Sequence, residues 1–347
     1  MRFGAVPPAE AEGAVLAHSL TLAGRKLPKG RILGPDEIGL LTAAGVAEVT
    51  VARLDRDDVG EDAAAERLAR ALVPDPASAH LTLSAPHAGR VNLHASGPGI
   101  VVIDVAAVHA LNRVDPALTL ATLAPFTRVT RGMLVGTVKI IAYGVAGSAL
   151  DAACRFALGA VRVRPVAMAS AGLILTTTGA PTDAKLARKG EAAVAARLAA
   201  LGMTLAEVVV VPHDVAAIAT ALATLKGDMA LILTSAATSD LRDTAPEGLR
   251  AAGGIVARFG MPVDPGNLLF HGRLGDRPVI GLPGCARSVA LNGADWVLER
   301  LACGLAVSDD DISAMGVGGL LKEIPIRPEP REALRKPTRG TPQARPT

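Results

Sequence analysis

Ile280-Gly281-Leu282-Pro283-Gly284-Cys285-Ala286-Arg287-Ser288 joins a strand ending, a Pro-Gly break and the opening of a helical pattern. The apolar run 278–282 halts at Pro283-Gly284. Apolar residues then recur at Ala290, Ala294, Val297, Leu301 and Leu305, as on one face of an amphipathic helix. Amides at a helix start lack intrahelical acceptors and lie at the positive end of the dipole, so this stretch is expected to receive an anion, a phosphate above all. Arg287 and Ser288 would add a fork donor and a hydroxyl. An ordinary strand–helix turn is the plainer alternative.

The same order of strand, turn and helix recurs upstream. Strands are expected at 173–177, 207–211, 229–234, 254–259 and 278–282, with a β-rich segment at 268–274. Helices are expected at 183–201, 214–225, 246–252 and 288–303. Strands alternating with crossover helices imply an α/β fold with a doubly wound, mostly parallel sheet, whose ligands lie beyond the carboxyl ends of the strands. The first half reads differently. Helices are expected at 9–17, from Gly34-Pro35-Asp36 to Gly45, at 61–72 and at 105–113, with strands at 47–54, 90–94, 99–104, 119–123 and 133–143. A helix at 148–157 bridges the halves. The domains are therefore 1–160, mixed and strand-rich; 161–322, the α/β domain; and 323–347, a disordered basic tail.

Composition excludes several classes. Half of the 347 residues are hydrophobic, enough for a sizeable core. Aromatic residues are 2%, which argues against a base-stacking nucleic-acid platform, and a net charge of +3 does not mark a polyanion binder. Cys154, Cys285 and Cys303 show neither metal-ligand spacing nor a disulfide framework, which implies a reducing compartment. With no long uninterrupted apolar span and no signal-peptide pattern, a soluble cytoplasmic protein away from membranes is expected, and a homo-oligomer. His80, His87 and His94 lie seven residues apart without an accompanying carboxylate group, and read as ordinary surface or core histidines.

Three post-strand segments carry the chemistry. The first holds Thr176, Thr177, Thr178 and Gly179, either gripping a polar ligand or capping the next helix. The second, 234–247, is rich in small residues and hydroxyls: Ser235, Thr238 and Ser239, with the carboxylates Asp240 and Asp243. Small residues let a flat ligand lie against backbone, and carboxylates bind a metal ion or a heterocycle's amino edge; the bland alternative is that Asp243 or Thr244 caps a helix at Pro246. The third is the opening stretch.

Together these segments resemble the molybdopterin-binding domain shared by molybdopterin adenylyltransferases, molybdopterin molybdotransferases and gephyrin. Arg242-Asp243 with Pro246-Glu247 resembles the family's Arg-Asp-Val-Thr-Pro-Glu, and 234–239 takes the place of its Thr-Thr-Gly-Gly-Thr-Gly loop, with Ala236 and Ala237 where glycines are usual. Residues 281–288 resemble Gly-Leu-Pro-Gly-Asn-Pro-Val-Ser, with Cys285-Ala286-Arg287 replacing Asn-Pro-Val, and Pro265-Gly266-Asn267 resembles a preceding Pro-Gly-Lys. The likeness spans about residues 165–320. Within it, 261–267, 282–288 and 315–319 are similar to bacterial molybdopterin-binding proteins often fused to a nucleotidyltransferase. Residues 27–51 are similar to the part of the molybdotransferases that leads into the binding domain.

The resemblance implies a protein that binds molybdopterin, or its molybdenum form, and presents or hands it on. The phosphate would lie on Pro283, Gly284, Cys285, Arg287 and Ser288, and the pterin along Ser235, Thr238, Ser239 and Asp240, with Thr177, Thr178 and Gly179 nearby. Asp243 is the catalytic candidate and would hold Mg²⁺ or the pterin's amino edge. Cys285 is a soft ligand for molybdenum or simply a small apolar residue. A nucleotidyltransferase or a molybdoenzyme is the implied partner. The molybdotransferases carry Thr-Gly-Asp-Glu in the first loop, where this chain has Ala180-Pro181 after Thr178-Gly179. That weighs against molybdate insertion, the enzymatic alternative. A hydrolase of the competence-damage family is the other alternative, its usual Thr-Gly-Asn-Glu being absent as well.

Overall fold

A computed structural model describes residues 1–321 of the chain; the expected basic tail lies outside the described residues. The first half is built from small antiparallel sheets. One orders Leu118–Thr122, Leu134–Ile140, Arg90–Ala95 and Leu81–Leu83; another orders Arg128–Val129, Gly99–Ile103 and Val161–Pro165. Helix Glu61–Leu72 packs on them through Ala64, Ala65, Leu68, Ala69 and Leu72, the stripe that its spacing requires. The helix expected at 9–17 does not form. Its place is taken by a 3-10 turn, Pro8–Glu10, and a short strand, Val15–Leu16. Gly13 between them adopts φ 75°, which an α-helix does not tolerate.

The second half is a six-stranded sheet with helices on both faces. Its elements are β1 (Ser170–Thr177), α1 (Asp183–Ala200), β2 (Thr204–Pro212), α2 (Val215–Thr224), β3 (Met229–Leu233), α3 (Thr244–Ala251), β4 (Ile255–Phe259), β5 (Phe270–Leu274), β6 (Arg277–Leu282), α4 (Gly293–Ala302) and α5 (Asp309–Ala314). The strand order is β2-β1-β3-β6-β5-β4. The contacts among β2, β1, β3 and β6 are parallel, and β5 runs antiparallel to both neighbours. Alternate residues serve opposite cores, as a strand's two-residue period demands. Leu173, Leu175, Leu231 and Leu233 pack with Val194 and Leu198 of α1 and Val297 of α4, whereas Ile174 and Ile232 pack with Ile218 and Leu222 of α2 and Leu249 of α3. Because β1 lies between β2 and β3, the order in which the chain adds strands reverses beside it, and the crevice where such sheets take a ligand falls at the ends of β1 and β3.

One helix boundary differs from expectation. The helix expected at 288–303 begins at Gly293, and Gly284–Arg287 is a single 3-10 turn. Two local causes act together. Asn292 and Asp295 form a capping box, with the Asn292 amide donating to Asp295 (2.8 Å) and the Ala294 amide donating to the Asn292 side chain (3.0 Å). Upstream, the carbonyls of Ala286, Ser288 and Ala290 accept hydrogen bonds from the Arg197 guanidinium and are thereby drawn away from helical ladder bonds.

Candidate functional site

The first loop closes around a carboxylate. Asp183, the first residue of α1, accepts hydrogen bonds from Thr177 Oγ1 (2.8 Å), the Thr178 amide (2.6 Å), Thr178 Oγ1 (3.1 Å) and the Ala180 amide (3.3 Å). These donors, Thr177 first, hold its carboxyl below the usual carboxylate range. The hydroxyls of Thr177 and Thr178 are therefore engaged within the loop. Gly179 turns it with φ 83°. Ala180-Pro181 brings no acidic pair, yet Asp183 supplies one carboxylate a few residues later.

The second loop is tied to the first. Thr176 Oγ1 accepts from the Ser235 amide at 2.8 Å, meets the Ser235 hydroxyl at 3.2 Å and lies 2.9 Å from His213 Nδ1. Thr238 is buried, while Ser239 and Asp240 are exposed. Helix α3 begins at Thr244, with Asp243 as its N-cap, rather than at Pro246. One Asp243 oxygen accepts from the Ser239 amide (2.9 Å) and the other from the Thr244 amide (2.7 Å); the Ser239 bond is the chief cause of its lowered pKa. Asp240 closes its own small turn on the Arg242 amide (2.8 Å). Both carboxylates thus shape the loop.

The third segment completes the crevice without the expected helix N-terminus. The first amides of a helical turn have no intrahelical acceptor, and Gly284 and Cys285, which open this 3-10 turn, are exposed. Arg287 points inward. It donates to the Thr234 carbonyl at the end of β3 and lies near Asp183; burial lowers its pKa and Asp183 opposes that shift. Its Nε is buried without a partner among the described residues. Ser288 is exposed, and its hydroxyl accepts from the Ala290 amide (3.2 Å). Pro283 is buried behind the turn. Cys285 is exposed and accepts a hydrogen bond from Asn292 Nδ2 at 3.0 Å.

A cleft of about 610 Å³ lies over this third segment. Gly284, Cys285, Arg287 and Ser288 form one side of it, and Leu186 and Lys189 of α1 contribute another; the hydroxyls of the first two loops are not among its lining residues. Pro265 belongs to the same lining, and its carbonyl accepts from the Gly293 amide (2.8 Å). Gly266 follows at φ 143°, where a Cβ would lie 2.8 Å from the Gly293 nitrogen, so the close approach requires glycine.

Sequence reading missed Arg197, Asp183, Lys189 and Asn292 as parts of this site. Arg197 had a visible signal: it is a lone charge on the apolar stripe of α1, beside Ala193, Val194 and Leu198. In the fold it is buried, bonded to Asp295 (2.5 Å) and to the carbonyls of Ala286 (2.8 Å), Ser288 (2.6 Å) and Ala290 (3.2 Å). Asn292 had the signal of a capping box with Asp295.

Residues 161–302 match a family model described as "Probable molybdopterin binding domain", and residues 5–53 match one described as a domain of unknown function. No curated protein matches the chain. Two similar solved structures are a molybdopterin biosynthesis MoeA protein from Pyrococcus horikosii and a molybdenum cofactor biosynthesis protein from Pyrococcus furiosus. The first is 12% identical, with 87% of this chain and 75% of that chain covered, at a TM-score of 0.30. The second is 14% identical, with 90% and 65% covered, at a TM-score of 0.21.

Proposed function

From the premise that residues 161–302 form a domain of the molybdopterin-binding family, we propose that the protein binds molybdopterin or its molybdenum form as cargo in molybdenum cofactor biosynthesis and presents it to a second protein. The observation that carries this reading is the convergence of three post-strand loops through the Thr176–Ser235 and Arg287–Thr234 contacts, beside a cleft of about 610 Å³. That volume lies in the usual range for small-molecule sites. The phosphate would rest on the amides of Gly284 and Cys285, with Ser288 and Lys189 as further donors. The pterin would extend toward Ser235, Thr238 and Ser239. Among the described residues no group of three or more His, Cys, Asp or Glu side chains could hold a metal ion. A Mg²⁺ ion at Asp243 would therefore need oxygens from the cargo itself.

Molybdate insertion is the second reading, favoured by one observation: Asp183 places a carboxylate at the first loop, bonded to the Thr178 amide, where the molybdotransferases carry their acidic pair. Incubation with adenylylated molybdopterin and molybdate separates the two, since active-cofactor formation belongs to insertion alone. A nucleotidyltransferase or molybdoenzyme recipient and a homo-oligomeric assembly belong to the same proposal. No helix among the described residues is long and apolar enough to cross a membrane.

Gly284→Val tests the central claim. A Cβ at Gly284 would meet only the Arg287 Nη1 atom, at 3.4 Å, so the variant should fold. Its branched side chain would intrude over the exposed amides, and molybdopterin affinity should fall by at least about tenfold while the melting temperature holds. Unchanged affinity in the folded variant removes the phosphate from this turn. No saturable fluorescence change with wild-type protein at ~100 µM molybdopterin removes the whole reading.

A further inference from the structure

A second cavity, of about 570 Å³, lies where the 124–127 loop of the first half meets α4 and α5. Its lining includes Phe126, Trp296, Arg300, Asp311 and Met315. The chain holds one Trp and five Phe, and two of these scarce aromatic residues line the cavity. Three features of the cavity are unexplained by packing alone. Phe126 adopts φ 62°, a conformation that bulky residues rarely occupy, and is held there as its amide donates to the Val101 carbonyl (2.7 Å). That conformation carries its ring against Arg300, whose guanidinium carbon lies 3.9 Å from the ring centroid. Arg300 is largely buried, yet its Nε has no hydrogen-bond partner among the described residues, and the nearest Asp311 oxygen is 3.8 Å from Nη1. The Nε atom is closed off from the cavity, but the Nη atoms also make no hydrogen bond among the described residues, so the guanidinium has donors left for an added acceptor.

We propose that this cavity is a second binding site, for a planar fused nitrogen heteroaromatic ring that stacks against Trp296 and the Arg300–Phe126 pair and offers an acceptor to the Nη atoms of Arg300. Flat faces satisfy the aromatic side chains and the guanidinium plane, while a ring nitrogen or carbonyl accepts from the guanidinium's Nη atoms. A purely aliphatic ligand would offer the guanidinium no acceptor. A saturated sugar would lack the stacking face. Pterins and purines share the required chemistry, and the site stands apart from the three-loop crevice, on different residues.

Trp296 is the chain's single tryptophan, so its fluorescence reports on this cavity directly. The full chain is titrated with AMP and, separately, with pterin. A saturable change with either probe is expected, AMP identifying a nucleobase and pterin a pterin ring. Phe126→Gly keeps a residue at ease with positive φ but removes the ring. It should weaken binding by about 5- to 100-fold, the range for loss of one stacking partner, without lowering the melting temperature. Arg300→Lys should weaken it too, because an ammonium does not reproduce the planar donor. Gly284→Val should leave the response intact. The proposal is overturned by an absence of saturable change with both probes up to ~1 mM, by undiminished affinity in Phe126→Gly, or by loss of the response in Gly284→Val, which would assign the signal to the three-loop crevice. This last comparison also keeps a failure here distinct from a failure of the molybdopterin reading.

Discussion

Arg197 occupies a position on α1 where the neighbouring stripe residues, Val194 and Leu198, are buried aliphatics. Its guanidinium joins Asp295 of α4 to three carbonyls of the 286–290 segment and so determines the path of the turn carrying Gly284, Cys285 and Arg287. A fork of five donors suits this task, and a single ammonium does not. Arg197→Met should cost about 3–5 kcal/mol in urea denaturation, because Asp295 and three carbonyls lose their partner together. The same variant should speed modification of the exposed Cys285 thiol, since the loop loses its anchor. A loss below about 1 kcal/mol would mean that water replaces the guanidinium at little cost. Asp183 and Asp243 make a related point. The sequence marks Asp243 as a ligand-holding group or a helix cap and leaves Asp183 unmarked, yet in the fold each carboxylate fastens its own loop.

Strand pairing decides another matter that composition leaves open. Gly281 of β6 lies directly opposite Phe270 of β5, and a Cβ there would approach the ring to 1.8 Å. The ring fills the space of the missing side chain, so Gly281→Ala should destabilise by about 1–3 kcal/mol, read as a lowered denaturation midpoint with an unchanged slope. An unaffected midpoint would show that Phe270 swings aside freely. Elements whose local signals agree were legible. The helix Glu61–Leu72 has acidic residues in its first turn, a regular apolar stripe and prolines beyond its end, and its bounds agree with expectation. The stretch 288–292 has helical apolar spacing but conflicting hydrogen-bond demands from Arg197 and the Asn292–Asp295 box, and there periodicity misleads.

The two halves of the molecule meet at a buried carboxyl. Glu299 of α4 lies 3.4 Å from Arg128 of the first half, near Asp295 and the buried thiol of Cys303. Burial raises its pKa to about 7, with Arg128 opposing and Asp295 reinforcing the rise. The folded state therefore holds a proton that the unfolded chain releases near its ordinary 4.5. This contribution to stability is complete below that value and is lost as pH rises through about 7, amounting to about 3 kcal/mol. Melting temperatures measured from about pH 5 to about pH 8 should decline in the wild type, and Glu299→Gln should flatten the decline. An identical slope in both would place the titration elsewhere.

By itself the sequence determined the alternation of strand and crossover helix, the apolar faces of those elements, and the order of three polar turns beyond β1, β3 and β6. These depend on residue periods and on local turn chemistry, which a linear string displays. Tertiary structure alone decided which polar groups remain available to a ligand. Thr177 and Thr178 spend their hydroxyls on Asp183, Arg287 turns to the carbonyl of Thr234, and Arg197 unwinds what spacing presented as one helix. It also brought Phe126 over Arg300 from the far half of the chain. A hydrogen bond or a stacked pair depends on ångström-level approach between distant residues, and that distance is set by packing rather than by spacing along the chain.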